Sequence, residues 1–310
     1  MSPARDNVVW VFHALTANSD PFEWWPGLVG ENDLINPSDH YIVCANMLGS
    51  CYGSTGPDHI DPSTSEKYGF DFPAVTIKDM VNAHKLLRQH LNIDRIYLGM
   101  GGSMGGQQLL EWAAGENDLF ENICVIATNA RHSAWGIAFN TAQRMAMEAD
   151  PTLYSNGKGA GEKGLKAARA IAMLSYRNQN TYRRTQTDFE DKTDNFKASS
   201  YQYYQGDKLV KRFSAHAYWH LSKAMDGHNV GRGRKSVRQA LKAINSNTLV
   251  LGIRSDILFP FAEQKFIAKN IRGAVFQMVD SLYGHDGFLI ETEAIEKHIA
   301  DFLNIQRDDE

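Results

Sequence analysis

Between Tyr97 and Ala113 the chain reads YLGMGGSMGGQQLLEWA, a single serine among five glycines. Glycine costs backbone entropy in regular structure, so this density marks either a flexible linker or a backbone forced into a tight turn. The flanks decide between them. Arg95-Ile96-Tyr97-Leu98 is apolar and β-favouring, the pattern of a short buried strand. Gln107 to Ala114 is rich in helix formers, with Leu109, Leu110 and Trp112 apolar. The segment is therefore strand, sharp turn, helix. Gly101-Gly102-Ser103-Met104-Gly105 fits G-x-S-x-G, a nucleophile elbow in which small neighbours let strand and helix approach. The Met104 N–H then points to where an oxyanion would form. No Lys-Ser or Lys-Thr pair follows the glycines, which argues against a phosphate-binding loop.

Short apolar runs recur elsewhere. Residues 8–12, 41–47, 95–99, 123–127, 248–253 and 274–279 read as strands, apolar on both faces as parallel strands covered by helices are. Helical patterns over 75–91, 104–114, 261–270 and 291–303 separate some of them. The alternation predicts a mostly parallel, doubly wound α/β sheet, and the elbow narrows it to the α/β-hydrolase fold. From about Arg131 to Ala243 no comparable strand recurs. Helical patterns at 134–149, 164–177, 201–205, 215–225 and 236–244 surround a polar, loop-like stretch at 188–197. This predicts a helical lid over 133–243, inserted into a core built from 1–132 and 244–310.

The 310 residues are 43% hydrophobic with a net charge of −4, which offers no basic surface to nucleic acid or an anionic membrane. No apolar run approaches the ~20 residues of a membrane span, and MSPARDN lacks the apolar core of a signal peptide. Cys44 and Cys124 lie inside apolar runs as core thiols, while Cys51 sits in a turn-rich loop; the three form no metal-type pair. A cytoplasmic protein without a metal or a bound cofactor is expected.

A serine elbow needs a base and a group to orient it. In α/β-hydrolases these follow in the order Ser, Asp or Glu, His. Asp256 follows the strand at 248–253, and His285 follows the strand at 274–279. Both fall just past strand C-termini, where open α/β sheets place ligands. His285 would take the Ser103 proton while Asp256 fixes the imidazole tautomer. Asp280 could orient His285 instead, and Asp286 could be the acid. A second oxyanion donor must come from the loop after the first strand, His13 to Asn18, with the Leu15 N–H as the candidate.

Six stretches together resemble the homoserine O-acetyltransferase family: His13-Ala14-Leu15-Thr16, Cys51-Tyr52-Gly53-Ser54-Thr55-Gly56-Pro57, Gly101-Gly102-Ser103-Met104-Gly105-Gly106, Gly206-Asp207-Lys208-Leu209 with Arg212-Phe213, Gly231-Arg232-Gly233-Arg234, and Tyr283-Gly284-His285-Asp286. The likeness runs from about Asn7 to Phe302. It implies acetyl transfer from acetyl-CoA to the hydroxyl of L-homoserine, for methionine biosynthesis, with Ser103, Asp256 and His285 as the triad. It also implies that Arg212 and Asp286 grip homoserine, with Thr16 and Tyr218 lining the same pocket. An arginine fork suits the carboxylate, and an aspartate suits the ammonium.

Succinyl-CoA as donor, serine as acceptor, or a serine esterase or thioesterase of the same fold are the other readings of the same residues. Family members begin with a further segment that forms two more strands, so six core strands rather than eight are expected here. Gly287 after His285-Asp286, and the pair Gln107-Gln108, depart from the family pattern. Apolar lid residues over 134–147 and 215–225 exceed what one small sheet can cover and predict a homodimer through the lid.

Overall fold

The computed structural model describes residues 7–305. Six strands, β1 (Val8–Phe12), β2 (Tyr41–Cys44), β3 (Ile96–Gly102), β4 (Phe120–Ile126), β5 (Asn247–Ile253) and β6 (Val275–Val279), form one sheet in the order β2-β1-β3-β4-β5-β6. Every neighbouring pair is parallel. The order reverses at β1, which lies between β2 and β3, and the C-terminal ends of strands flanking such a reversal form a natural ligand crevice.

Side chains alternate along each strand and fill two separate cores. Val8, Trp10, Phe12, Ile123, Val125 and Val250 pack with Leu109, Trp112 and Ile267 on one face. Val9, Val11, Leu98, Met100, Ile126 and Leu251 pack with Trp25, Ile295, Ile299 and Phe302 on the other. The central strands are thus buried on both faces, as their continuous apolar runs predict. The outer strands are not: Val275 at the start of β6 is 38% exposed, because an edge strand lacks a neighbour to shield one side.

Among the described residues, twelve helices surround the sheet: α1 (Pro21–Trp24), α2 (Ile77–His90), α3 (Met104–Ala113), α4 (Ala134–Glu148), α5 (Glu162–Tyr176), α6 (Gln179–Thr185), α7 (Lys197–Val210), α8 (Ala215–Asp226), α9 (Val237–Lys242), α10 (Phe261–Asn270), α11 (Gly287–Ile290) and α12 (Thr292–Ile305). Thr76 and Asp79 form a reciprocal cap at the start of α2, satisfying two of its free N–H groups. The chain between β4 and β5 forms α4 to α9. The helix α6 has no periodic apolar stripe and went unpredicted; α7 is longer than the aromatic run at 201–205 suggests.

The lid does not float above the sheet. Met147, Leu165, Phe213, Tyr218 and Leu221 share a third cluster with Leu15, Met80 and Met104, so the lid packs directly against the elbow and the β1 loop. Val230, Ala240, Leu241 and Ile244, at the C-terminal end of the insertion, side with the sheet core instead. No helix among the described residues is long and apolar enough to cross a membrane.

Candidate active site

The elbow forms because four backbones meet there. Ser103 holds φ 55° and ψ −124°, a left-handed conformation rare for a residue with a side chain. Its N–H donates to Ile126 O (3.0 Å), and its carbonyl accepts from the Thr128 hydroxyl (2.7 Å), so β4 braces the turn from both sides. A Cβ on Gly101 would come within 2.7 Å of the Gly105 carbonyl carbon, and one on Gly105 would collide with the Phe12 carbonyl. The glycines are there so that strand, helix and the β1 loop can approach.

Three side chains then line up. Ser103 Oγ lies 2.9 Å from His285 Nε2, and His285 Nδ1 lies 2.6 Å from Asp256 Oδ2. Asp256 accepts through its other oxygen from the N–H groups of Leu258 (2.8 Å) and Phe259 (2.9 Å). The Phe259 ring stacks on the imidazole at 5.0 Å between centroids. Ser103, Asp256 and His285 are all buried. Of the three acids open at the sequence level, Asp256 is the one beside the imidazole. Asp280 is exposed and paired with Arg254, and Asp286 faces Arg177. A buried hydroxyl–imidazole–carboxylate line can move a proton off the hydroxyl and hold the resulting cation.

The β1 loop is aimed by a histidine. His13 Nδ1 lies 2.9 Å from Ala14 O, and the Met47 N–H donates to His13 Nε2 (3.0 Å). Burial lowers the imidazole pKa to about 4, so the ring is neutral at pH 7, and only the Nδ1–H tautomer serves both bonds. The Ala17 N–H also donates to Ala14 O (3.0 Å). Ala14 C=O and Leu15 N–H belong to one planar trans peptide and point in opposite directions. Pinning the carbonyl therefore fixes the direction of the Leu15 N–H. Met104 opens α3, where the N–H groups of a helix's first turn have no intrahelical partner.

These residues open on a cavity of about 580 Å³, lined among others by Leu15, Thr16, Ser103, His285 and Asp286. Arg212 reaches it from the end of α7, donating to Thr16 O (2.6 Å) and to the Tyr52 hydroxyl (3.0 Å). Thr16, Arg212 and Asp286 are thus brought together. Tyr218 is not: it is fully buried, and its hydroxyl donates to Gln143 Oε1 (2.5 Å). It points into the interior because it lies on the face of α8 that packs against α4. Tyr176 lines the cavity in its stead, its ring 5.8 Å from that of His285.

A family model described as alpha/beta hydrolase fold matches residues 7–292. The homoserine O-acetyltransferase of Cyclobacterium marinum is 47% identical over 298 residues, covering 96% of this chain and 85% of that one. That of Chlorobaculum tepidum is 42% identical over 305 residues, covering 97% and 86%. The chain belongs to the homoserine O-acetyltransferase family. Among solved structures, the homoserine O-acetyltransferase of Bacillus anthracis superposes with a TM-score of 0.90 at 22% identity, over 98% of this chain and 90% of that one. Esterase E22 superposes with a TM-score of 0.88 at 20% identity, over 97% and 90%. At such identities these two likenesses establish the fold alone.

In this family member, sequence reasoning missed the cavity wall contributed by α5. Arg169, Tyr176 and Arg177 line it, with Lys208 from α7. Arg177 Nε lies 3.0 Å from Asp286 Oδ2, so the aspartate expected to stand free already has a cation beside it. Burial pushes the Asp286 carboxyl above the usual range, and Arg177 is the strongest charge pulling it back. No motif marks these positions; Arg169 lies within α5 and Arg177 just past its end, with nothing in the sequence to set them apart from its other charged residues.

Proposed function

We propose that the protein transfers an acetyl group from acetyl-CoA to the hydroxyl of L-homoserine, a step toward methionine, through an acetyl-enzyme on Ser103. The observation that carries the reading is the 2.9 Å and 2.6 Å line from Ser103 through His285 to Asp256, in a chain 47% identical to a homoserine O-acetyltransferase. His285 takes the Ser103 proton as Oγ attacks the thioester carbonyl. The Leu15 and Met104 N–H groups receive the oxyanion, and the CoA thiolate leaves with the proton from His285. In the second half, His285 deprotonates the homoserine hydroxyl, which attacks the acetyl carbonyl and releases Ser103. Arg212 takes the acceptor's carboxylate, Asp286 its ammonium, and Thr16 lines the site.

Mass spectrometry after brief exposure to acetyl-CoA without acceptor tests the donor. A gain of one acetyl group, lost on adding L-homoserine, is expected. Labelling by succinyl-CoA instead, discharge by serine, or discharge by water alone at the same rate would each replace this reading with another.

We also propose a homodimer through the lid. Trp135 and Met145 on α4, Leu174 on α5, and Tyr203 and Tyr204 on α7 are each more than half exposed. The helix α8, counted toward this face on sequence grounds, is mostly buried within its own chain and adds nothing to it. The cytoplasm, where acyl-CoA and reduced thiols coexist, is the location this reaction requires.

A further inference from the structure

One lid residue touches both sides of the histidine loop. Arg177 caps the C-terminal end of α5. Its guanidinium lies over the Tyr283 ring, 5.2 Å from the centroid, and 3.0 Å from the Asp286 carboxylate. Tyr283 precedes His285 by two residues and Asp286 follows it, so Arg177 spans the imidazole-bearing turn. The backbones meet as well. Gly284, at φ 64°, has no room for a side chain: a Cβ there would come within 3.0 Å of the Tyr176 and Arg177 carbonyls. Thr181 on α6 adds a hydrogen bond to the Leu282 carbonyl.

We propose that Arg177 is a positioning residue for the acceptor amino acid, holding the Asp286 carboxylate by one oxygen so that the other is presented, ionised, to the acceptor's ammonium. The proposal rests on the transferase reading above. Its geometry is specific. Arg177 engages Oδ2, and Asp286 lines the cavity. Asp286 shares the cavity with Arg212, so the two opposite charges that a carboxylate and an ammonium would need line one space. The Arg177 Nε–H is not aligned with Oδ2 for a hydrogen bond. The contact is charge against charge, which lets the carboxylate turn slightly toward an incoming cation without losing its partner.

Without Arg177, burial would push the Asp286 carboxyl further above its ordinary range and weaken its hold on an ammonium. The charged and titratable groups around Asp286 are Arg169, Tyr176 and Arg177 of the lid's α5 side, Tyr182 of α6, and His285 and Asp256 of the core. Arg169 is the second cation, but it lies over the Tyr176 ring and ranks behind Arg177 in its pull on Asp286. His285 has its own anchors in Asp256 and Phe259, so acetylation of Ser103 does not depend on the clamp.

The test compares wild type, Arg177→Gln and Arg177→Lys in each half-reaction between pH 6 and 8.5: acetylation by acetyl-CoA, then discharge by L-homoserine. Arg177→Gln should acetylate nearly as wild type does, with the acceptor KM raised about tenfold or more at neutral pH. That gap should narrow as pH rises and Asp286 ionises unaided. Arg177→Lys restores the charge but not the flat stack on Tyr283. It should recover the wild-type pH profile with an intermediate KM. Wild-type acetyl-enzyme that homoserine does not discharge would overturn the transferase reading itself. Discharge by wild type, with an Arg177→Gln KM and pH profile superposable on it, would overturn the role of Arg177 alone, as would equal losses in both half-reactions. Should Arg177→Gln not fold, Arg177→Met, which keeps the stem and removes the charge, takes its place, and an acceptor KM and pH profile superposable on wild type would decide against the proposal in the same way.

Discussion

The cavity has two walls of different construction. One is made by the sheet: Leu15, Ser103, Asp256 and His285 each come from a loop that leaves the C-terminal end of β1, β3, β5 or β6. The other is made by the lid: Arg169, Tyr176, Arg177, Lys208 and Arg212 come from α5 and α7 or their ends. In the sheet wall the groups are buried and held by specific hydrogen bonds. Asp256 has two N–H donors, the Ser103 carbonyl has Thr128, and the Leu15 peptide has His13. In the lid wall, long side chains meet through charge and ring faces, and Arg212 is exposed. A rigid wall suits charge that develops in a transition state, because donors that need not move cost no reorganisation. An adjustable wall suits recognition of a small, doubly charged acceptor.

The sharpest break in this contrast is Ser103→Ala. Removing the Ser103 hydroxyl should lower turnover by about a millionfold and abolish acetyl-enzyme, while acceptor binding to the lid wall persists. Calorimetry with L-homoserine and acid-quench mass spectrometry check the two halves; retained transferase activity would sink the assignment. Next in size is His13→Phe. The ring volume stays, but the bond to Ala14 O is lost and the Leu15 N–H is free to swing. Removing an oxyanion donor typically costs ~10²–10³ in rate, and loosening one should approach the lower figure. The loss should fall on acetylation and leave acceptor KM near wild type; a KM effect alone would show that the loop serves the acceptor instead.

The two walls were unequally legible in the sequence, and the reason is physical. A strand end fixes where the next few residues lie, so a serine between glycines, an aspartate three residues past β5 and a histidine in the loop after β6 could be placed by counting. Counting also favours Asp256 as the acid; Asp280 and Asp286 stay open at that level only because both lie near His285 on the loop after β6. The lid offers no such ruler. Most of its helices could be read from periodicity, yet which turn of α5 faces the cavity depends on packing between helices, and the resemblance supplied Arg212 and Thr16 without the bond that joins them or the Tyr52 hydroxyl beside it. Tyr218 shows the limit. The resemblance implies a pocket residue there, but α8 turns that face inward.

Arg212→Ala tests the lid wall as Ser103→Ala tests the sheet. The acceptor half-reaction should fall by about tenfold to a hundredfold in kcat/KM, since a charge-assisted contact contributes ~1.5–3 kcal/mol. Acetylation of Ser103 should be nearly unchanged. Stopped-flow measurement of each half separates these; equal loss in both would move the acceptor site elsewhere.

Acid should strike both walls. Burial lowers the pKa of His13, His84 and His132 to about 4 and of His228 to about 3, from an ordinary value of 6.5. These folded values lie below the unfolded one, so the unfolded chain binds more protons in between. The stability that neutral imidazoles give is complete above pH 6.5 and declines as pH falls toward 4, by up to about 1.4 kcal/mol per pH unit for each group. His13 and His84 lie beneath the sheet wall; His132 and His228 lie where the lid joins the core. Chemical unfolding from pH 7.5 to 4 should show this slope, and His228→Gln should flatten it by one group. A slope unaltered by that substitution would mean His228 is charged when folded.

The smallest effect on activity is expected at Tyr218, and it separates the interior of the lid from its cavity face. The Tyr218 hydroxyl donates to Gln143 Oε1, and both side chains are buried. Tyr218→Phe would leave that amide oxygen without a donor, which costs ~1–3 kcal/mol of stability. It should leave the acceptor KM unchanged, because nothing of Tyr218 lines the cavity. Tyr176, whose hydroxyl meets that of Tyr218, offers the matching change, Tyr176→Phe. It alters a residue that does face His285, so its effect should fall on acceptor kinetics rather than on unfolding. Denaturant titration beside acceptor saturation curves for the two variants reads both axes. If Tyr218→Phe weakened acceptor saturation while stability held, the residue would belong to the pocket, and α8 would have to rotate when substrate binds.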